Sequence, residues 1–217
     1  MIEKIFKDPQ VTILLQQLGL PGSFLRELYE EDDWSFIIKS HALVESVCTR
    51  LLCFHFNEPQ IEKIYASLPL NNMKSGKLGF LYELKLIDKN NVRLIQFLSQ
   101  IRNAVVHDVK LSNFTLSDYI KSYNQNKAMD FAISFSPFES LLRLFNKVHL
   151  SKNNDALFLD QVISEKTVQK RAQDDPKLHI LNGVYYFLTS TIEMHYYSDY
   201  LQWEKAKHKL SQDEKLF

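Results

Sequence analysis

Glycine and proline are scarce in this chain, 5 and 6 residues among 217. An all-β fold needs more turns than that supply provides, so the composition leans towards helices. Net charge is missing too: 26 Lys and Arg balance 26 Asp and Glu. That excludes a general nucleic-acid coat and leaves only a local basic face to attract polyanions. The only cysteines are Cys48 and Cys53. They lie five apart in one helix-like apolar run, too far apart on a rigid helix to bridge, so no disulfide framework is expected. Neither their spacing nor the addition of His55 makes a zinc signature. No Gly-rich phosphate loop, nucleophile elbow or zinc-hydrolase motif is present, so no metal and no cofactor is expected. Long hydrophobic runs are also lacking. The most membrane-like stretch, Leu178 to Tyr197, contains His179, Asn182, Glu193 and His195, which is poor for a lone span. The beginning, MIEKIFKDPQ, is charged and has no signal-peptide apolar stretch. A soluble, cytoplasmic protein without a membrane partner is the expectation.

What is present is an ordinary globular balance, 45% apolar and 24% charged, enough to bury a real core. Asp8-Pro9 starts a helix through VTILLQQLGL that stops at Pro21-Gly22, and Ser23 is placed to cap FLRELYEE. Asp32 or Asp33 opens a long helix, WSFIIKSHALVESVCTRLLCFHF, apolar around much of its circumference and hence central. A loop, SLPLNNMKSG, precedes KLGFLYELKLI. Asp88 then caps NNVRLIQFLSQIRNAVVH, where Val92, Ile95, Phe97, Leu98, Ile101, Val105 and Val106 keep a helical period. Residues 34–56 and 89–107 are predicted as two central antiparallel helices. Thr115 or Ser117 caps a short helix around LSDYIKSY. Residues 125–136 alternate weakly, and AISFS could be a short extended piece. Pro137 can initiate FESLLRLFNKVHL, SKNNDA is a polar turn, and helices follow over 157–172 and after Pro176. With no repeat, low-complexity tract or domain boundary, one all-α domain over 1–217 is expected. The apolar excess of both central helices further predicts a homodimer.

The segment with chemistry in it is Ile101-Arg102-Asn103-Ala104-Val105-Val106-His107-Asp108. Asn103 and His107 are four apart and share a helix face, and the long Arg102 side chain can reach the same mouth. Arg offers a fixed fork of donors for phosphate oxygens, and His moves a proton near neutral pH. Together they form a minimum kit for metal-free RNA cleavage. The ordinary alternative is a helix end, where Arg, Asn and His bond free carbonyls and suit the dipole.

The long helix with SHALVESVCTRLL, followed by GKLGFLYELKLIDKNNVRLIQFLSQIRNAVVHD, resembles the HEPN superfamily. That family carries Arg, a polar residue, three variable positions and His on a late helix, a pattern that Arg102-Asn103-x-x-x-His107 matches. More narrowly the chain resembles the mannitol operon repressor family, in the helix with Glu45, the SGKLGFLYELKLID turn, the His107-Asp108 pair and FTLSDYI at 114–120. The resemblance implies a HEPN-like helical bundle, with its core at about 23–120 and a helical C-terminal extension at about 137–210 that includes a long terminal helix. Its functional implications diverge. Many HEPN proteins are metal-independent endoribonucleases that join Arg and His from two protomers across a dimer cleft, which would make Arg102, His107 and Asn103 catalytic and RNA a partner. The repressor family implies non-catalytic transcriptional control, and since this chain has no helix-turn-helix, zinc finger or basic zipper, such control would run through a regulatory protein partner.

Charge along the chain adds modest support for a phosphate ligand. Between residues 74 and 110, Lys74, Lys77, Lys85, Lys89, Arg93, Arg102 and Lys110 outnumber Glu83, Asp88 and Asp108. The acidic cluster Glu27, Glu30, Glu31, Asp32 and Asp33 reads as solvated surface, or as a contact for the basic face of a second copy. His41 and Glu45 could line a cleft, although a satisfied core histidine is the plainer reading. The stripe Tyr185, Tyr186, Phe187, Tyr196, Tyr197, Tyr200 and Trp203 fits packing or a partner surface better than base stacking.

Overall fold

The computed structural model describes residues 2–107, 114–136 and 165–193. Every regular element among them is a helix, as the shortage of turn residues implies. In order they are α1 (Ile2–Phe6), α2 (Pro9–Gln17), α3 (Phe24–Glu30), α4 (Asp33–Phe56), a 3-10 turn at Pro59–Ile61, α5 (Glu62–Ser67), α6 (Lys77–Glu83), α7 (Lys89–His107), α8 (Leu116–Lys121), α9 (Gln125–Ser134) and α10 (Glu165–Asp174). Residues 176–193 form α11. The helix expected after Pro137, the SKNNDA turn and the aromatics from Tyr196 to Trp203 lie outside the described residues.

Capping chemistry explains most of the starts. Asp8 accepts from the backbone N–H of Gln10 and Val11 at the head of α2, Asp32 from Ser35 at α4, and Asp88 from Asn90 and Asn91 at α7. Each satisfies donors that have no intrahelical partner. Ser23 makes no such bond; its hydroxyl donates instead to the Glu27 carboxylate at 2.6 Å. Asn57 closes α4 in the left-handed region, with φ 53°, a conformation asparagine tolerates better than most residues.

α4 is the central rod. Phe36, Ile37, Val44, Cys48 and Leu52 are fully buried along it, and α3, α5, α6 and α7 pack around it. Its partner runs the opposite way. His41 meets Ser99 across α4 and α7, whereas Asn91, near the start of α7, donates to Ser190. The neighbouring Thr191 and Ile192 line a groove with Val47 and Leu51 on the later half of α4.

The ambiguous 125–136 segment resolves as a helix, which corrects the extended alternative for AISFS. Phe131, Ala132, Ser134 and Phe135 are all buried, because α9 and its end are covered by α7, α10 and α11. Burial on more than one side erases the single apolar stripe that marks a surface helix. α11 is part of the same core: Ile180, Leu181, Val184, Phe187 and Leu188 are buried, and the Tyr185 hydroxyl donates to Asp8 at 2.7 Å.

Of the acidic cluster, Glu27, Glu30 and Asp32 are exposed, as a solvated surface implies, but Glu31 and Asp33 are tied into the fold. Asp33 pairs with Lys177 at 3.4 Å and accepts from the Leu116 N–H at 2.8 Å. Glu31 pairs with Lys39 through its side chain, and its backbone carbonyl accepts from Lys177. These bonds tie the α3–α4 junction to α8 and α11.

His179 supplies a pH dependence. Its Nε2 donates to the Ala132 carbonyl at 2.9 Å, and burial holds its pKa below the ordinary 6.5, against the opposing pull of that bond and of Asp175. Falling pH therefore protonates this residue in the unfolded chain before the folded one, and stability drops below pH 6.5. His41 contributes with the same sign. His179→Gln, which keeps a donor for Ala132, is expected to reduce the loss of melting temperature between about pH 7 and 5. An unchanged loss would show that His179 takes up its proton alike in the folded and unfolded chain.

Candidate functional site

The site is set by how α6 is held against α4. The loop before α6 folds back on it so closely that a Cβ on Gly76 would sit 2.3 Å from the Pro69 carbonyl oxygen, and one on Gly79 2.3 Å from that of Met73. This approach lets the Lys77 and Leu78 N–H groups donate to Pro69 and Leu70. The obstruction is backbone, so it cannot swing aside. Gly79→Ala is thus expected to destabilise by about 1–3 kcal/mol, although alanine is the better helix former by about 1 kcal/mol. Urea unfolding that shows a gain would refute the close approach.

The same packing buries Lys77, whose side chain is 1% exposed. Its Nζ donates to the Glu45 carboxylate at 2.6 Å and to the Ala66 carbonyl at 3.1 Å. Lys77 therefore leaves the basic face that the sequence suggested. Glu45 remains partly open to solvent, at 36%. Cys48, one turn along α4, is fully buried, and burial pushes its thiol pKa far up; it is an unreactive core residue. Among the described residues no cluster of His, Cys, Asp or Glu could hold a metal ion, and no helix is long and apolar enough to cross a membrane.

His41, one turn before Glu45 on α4, meets α7 at Ser99. Ser99 spends its only proton on the Ile95 carbonyl at 2.7 Å, so His41 Nε2 carries the proton in its 3.2 Å bond to the Ser99 oxygen. Burial lowers the His41 pKa; Glu45 pulls it back up, and the positive Arg102 and Lys77 push it further down. The imidazole is neutral near pH 7. It is a satisfied, half-buried histidine, and its neighbourhood brings α4, α6 and α7 into electrostatic contact.

Arg102 is partly buried, while Asn103 and His107 are exposed. The Arg102 guanidinium donates to Asn103 Oδ1 at 3.1 Å, so these two side chains do meet. His107 is the last residue of α7, one turn beyond Asn103 on the same face. Among the described residues none of the three is seen donating to a backbone carbonyl of α7, while His107 stands in the last turn, where a cation suits the helix dipole. Among the described residues Arg102 pairs with no carboxylate. Spacing alone placed these three residues. It did not reveal Lys77 or Ser99, whose only signals are the glycines flanking Lys77 and the three-residue step from Ser99 to Arg102.

A groove of about 220 Å³ lies elsewhere, between α2, α4 and α11, lined by Ile13, Leu14, Leu51 and Ile192 among others; it does not reach Arg102. Of the aromatic stripe, Phe187 is core and Tyr185 is committed to Asp8. No family model, curated protein or solved structure matches the chain.

Proposed function

We propose that this chain is a HEPN-like, metal-independent endoribonuclease that acts through Arg102, Asn103 and His107 at a cleft between two copies. The observation that supports it best is the exposed end of α7. There a guanidinium bonded to Asn103 stands one turn from an imidazole. In the reaction, the ribose 2′-oxygen attacks phosphorus, a P–O2′ bond forms and the P–O5′ bond breaks. One His107 takes the 2′ proton, and the second copy's His107 gives a proton to the departing 5′-oxygen. Arg102 faces the charge that grows on the non-bridging oxygens, and Asn103 orients the guanidinium.

The test is cleavage of single-stranded RNA by the purified protein in EDTA, beside the same oligomer with 2′-deoxy sugars. Cleavage of the first and not the second is expected. A second reading, a non-catalytic regulator resembling the mannitol repressor, is supported by exposed Phe56, Ile64, Met73 and Phe80 on and between α4, α5 and α6, which a protein partner would cover. Inertness towards both oligomers would favour it.

A further inference from the structure

α4 and α7 are closed on one side of their contact and open on the other. They run antiparallel and meet where His41 Nε2 donates to the Ser99 oxygen at 3.2 Å. A step of seven residues is only about 20° short of two full helical turns, so positions at that step share a face. Two turns towards the end of α4 and the start of α7, these faces carry Cys48, fully buried, and Val92, half-buried. Two turns the other way they carry Trp34 and Val106, which are 45% and 38% exposed. The same two helix ends are also joined through α8: Leu116, at its head and just beyond α7 in sequence, donates its N–H to Asp33 at 2.8 Å. Trp34 and Val106 therefore flank the mouth of a cleft between the start of α4 and the end of α7.

Arg102 lies on the α7 wall inside this mouth, one turn from the crossing. It is half-buried, and among the described residues it pairs with no carboxylate. Along the axes it stands about 6 Å from the level of Trp34, and packed helix axes lie about 8–10 Å apart. One nucleotide can span that gap, with its phosphate on α7 and its base on α4. Charge sets this orientation, because Asp32 and Asp33 stand beside Trp34 whereas Arg102 and His107 are on α7. We propose that Trp34 is the base-stacking residue of the site: its indole takes the nucleobase whose phosphate Arg102 holds. Unpaired RNA bases stack on aromatic side chains in this way, and an indole accepts the face of any base, so the subsite takes a single-stranded nucleotide without base preference. The choice of RNA rests on the ribonuclease reading; the stacking itself does not require cleavage.

The chain has two tryptophans, Trp34 and Trp203, so Trp203→Phe leaves Trp34 as the sole indole reporter. Adenosine 3′-monophosphate should quench its emission to saturation, whereas inorganic phosphate alone should not. The second readout is affinity for a labelled single-stranded oligomer with 2′-O-methyl sugars, which cannot be cleaved, in Trp34→Leu and Trp34→Phe. Position 34 is exposed, so both variants should keep wild-type helix content. Trp34→Leu should bind about tenfold more weakly, the size of one base–aromatic stack. Trp34→Phe keeps a ring and should stay within about threefold of wild type. In cleavage, Trp34→Leu should raise KM and leave kcat unchanged, since the stack is present before and during the reaction alike. Emission that ignores saturating nucleotide, or Trp34→Leu binding as wild type does, overturns the proposal. So does emission that follows protein concentration instead, which places a second copy over the indole. Quenching and the tenfold loss without any RNA cleavage would refute the ribonuclease reading and uphold the subsite. Cleavage with KM unchanged in Trp34→Leu would do the opposite.

Discussion

Replacing His107 with alanine is expected to lower RNA cleavage by about 10²–10⁴-fold, the usual cost of losing a positioned proton-transfer group. That corresponds to roughly 3–5 kcal/mol of transition-state stabilisation. The fold should be spared. His107 is exposed at the end of α7, where a cation near the helix C-terminus contributes only about 0.3–1 kcal/mol. Helix content and assembly state should match wild type while activity collapses. Arg102→Lys keeps the charge but loses the planar fork that bonds Asn103, so it too should be impaired. Equal cleavage by wild type and His107→Ala would assign the activity to a contaminant or another site.

Phe131→Ala is expected to be the most damaging core substitution for stability, at about 3–5 kcal/mol. The ring is fully buried and joins elements distant in sequence. Its centroid lies 5.7 Å from that of Phe97 on α7, 5.3 Å from that of Phe135, 6.5 Å from that of Tyr123 and 5.6 Å from that of His179 on α11. Tilted and edge-on pairs of this kind contribute beyond the area they bury. Against a typical total of about 5–15 kcal/mol, the loss takes a large share. Urea unfolding should show a clearly lower midpoint, and a loss under about 1 kcal/mol would mean that the cluster repacks freely.

Which features were legible in the sequence follows from which interactions are local. α4 and α7 were predicted at 34–56 and 89–107 and are found at Asp33–Phe56 and Lys89–His107, because aspartate caps and a sustained helical period are read from neighbours. α9 was obscured by burial on several sides. In the acidic cluster, the ties of Glu31 and Asp33 are not legible because their partner Lys177 lies more than a hundred residues away. Lys77 was counted as surface because lysine is almost never fully buried unless paired, and its mate Glu45 sits on another helix. At the site, helical spacing gave the shared face of Asn103 and His107. The Ser99 oxygen that fixes the His41 tautomer depends on how α4 crosses α7, which spacing does not encode.

The most direct measurement is the chemistry of the ends produced when the wild-type protein cuts RNA in EDTA, read by mass spectrometry. Attack by the 2′-oxygen, with Arg102 on the phosphate and His107 moving the proton, must leave a 2′,3′-cyclic phosphate on one fragment and a 5′-hydroxyl on the other. Those ends, lost together in His107→Ala, are the predicted result. Fragments bearing 5′-phosphates and 3′-hydroxyls, or no cleavage at any protein concentration at which the chain self-associates, would contradict it.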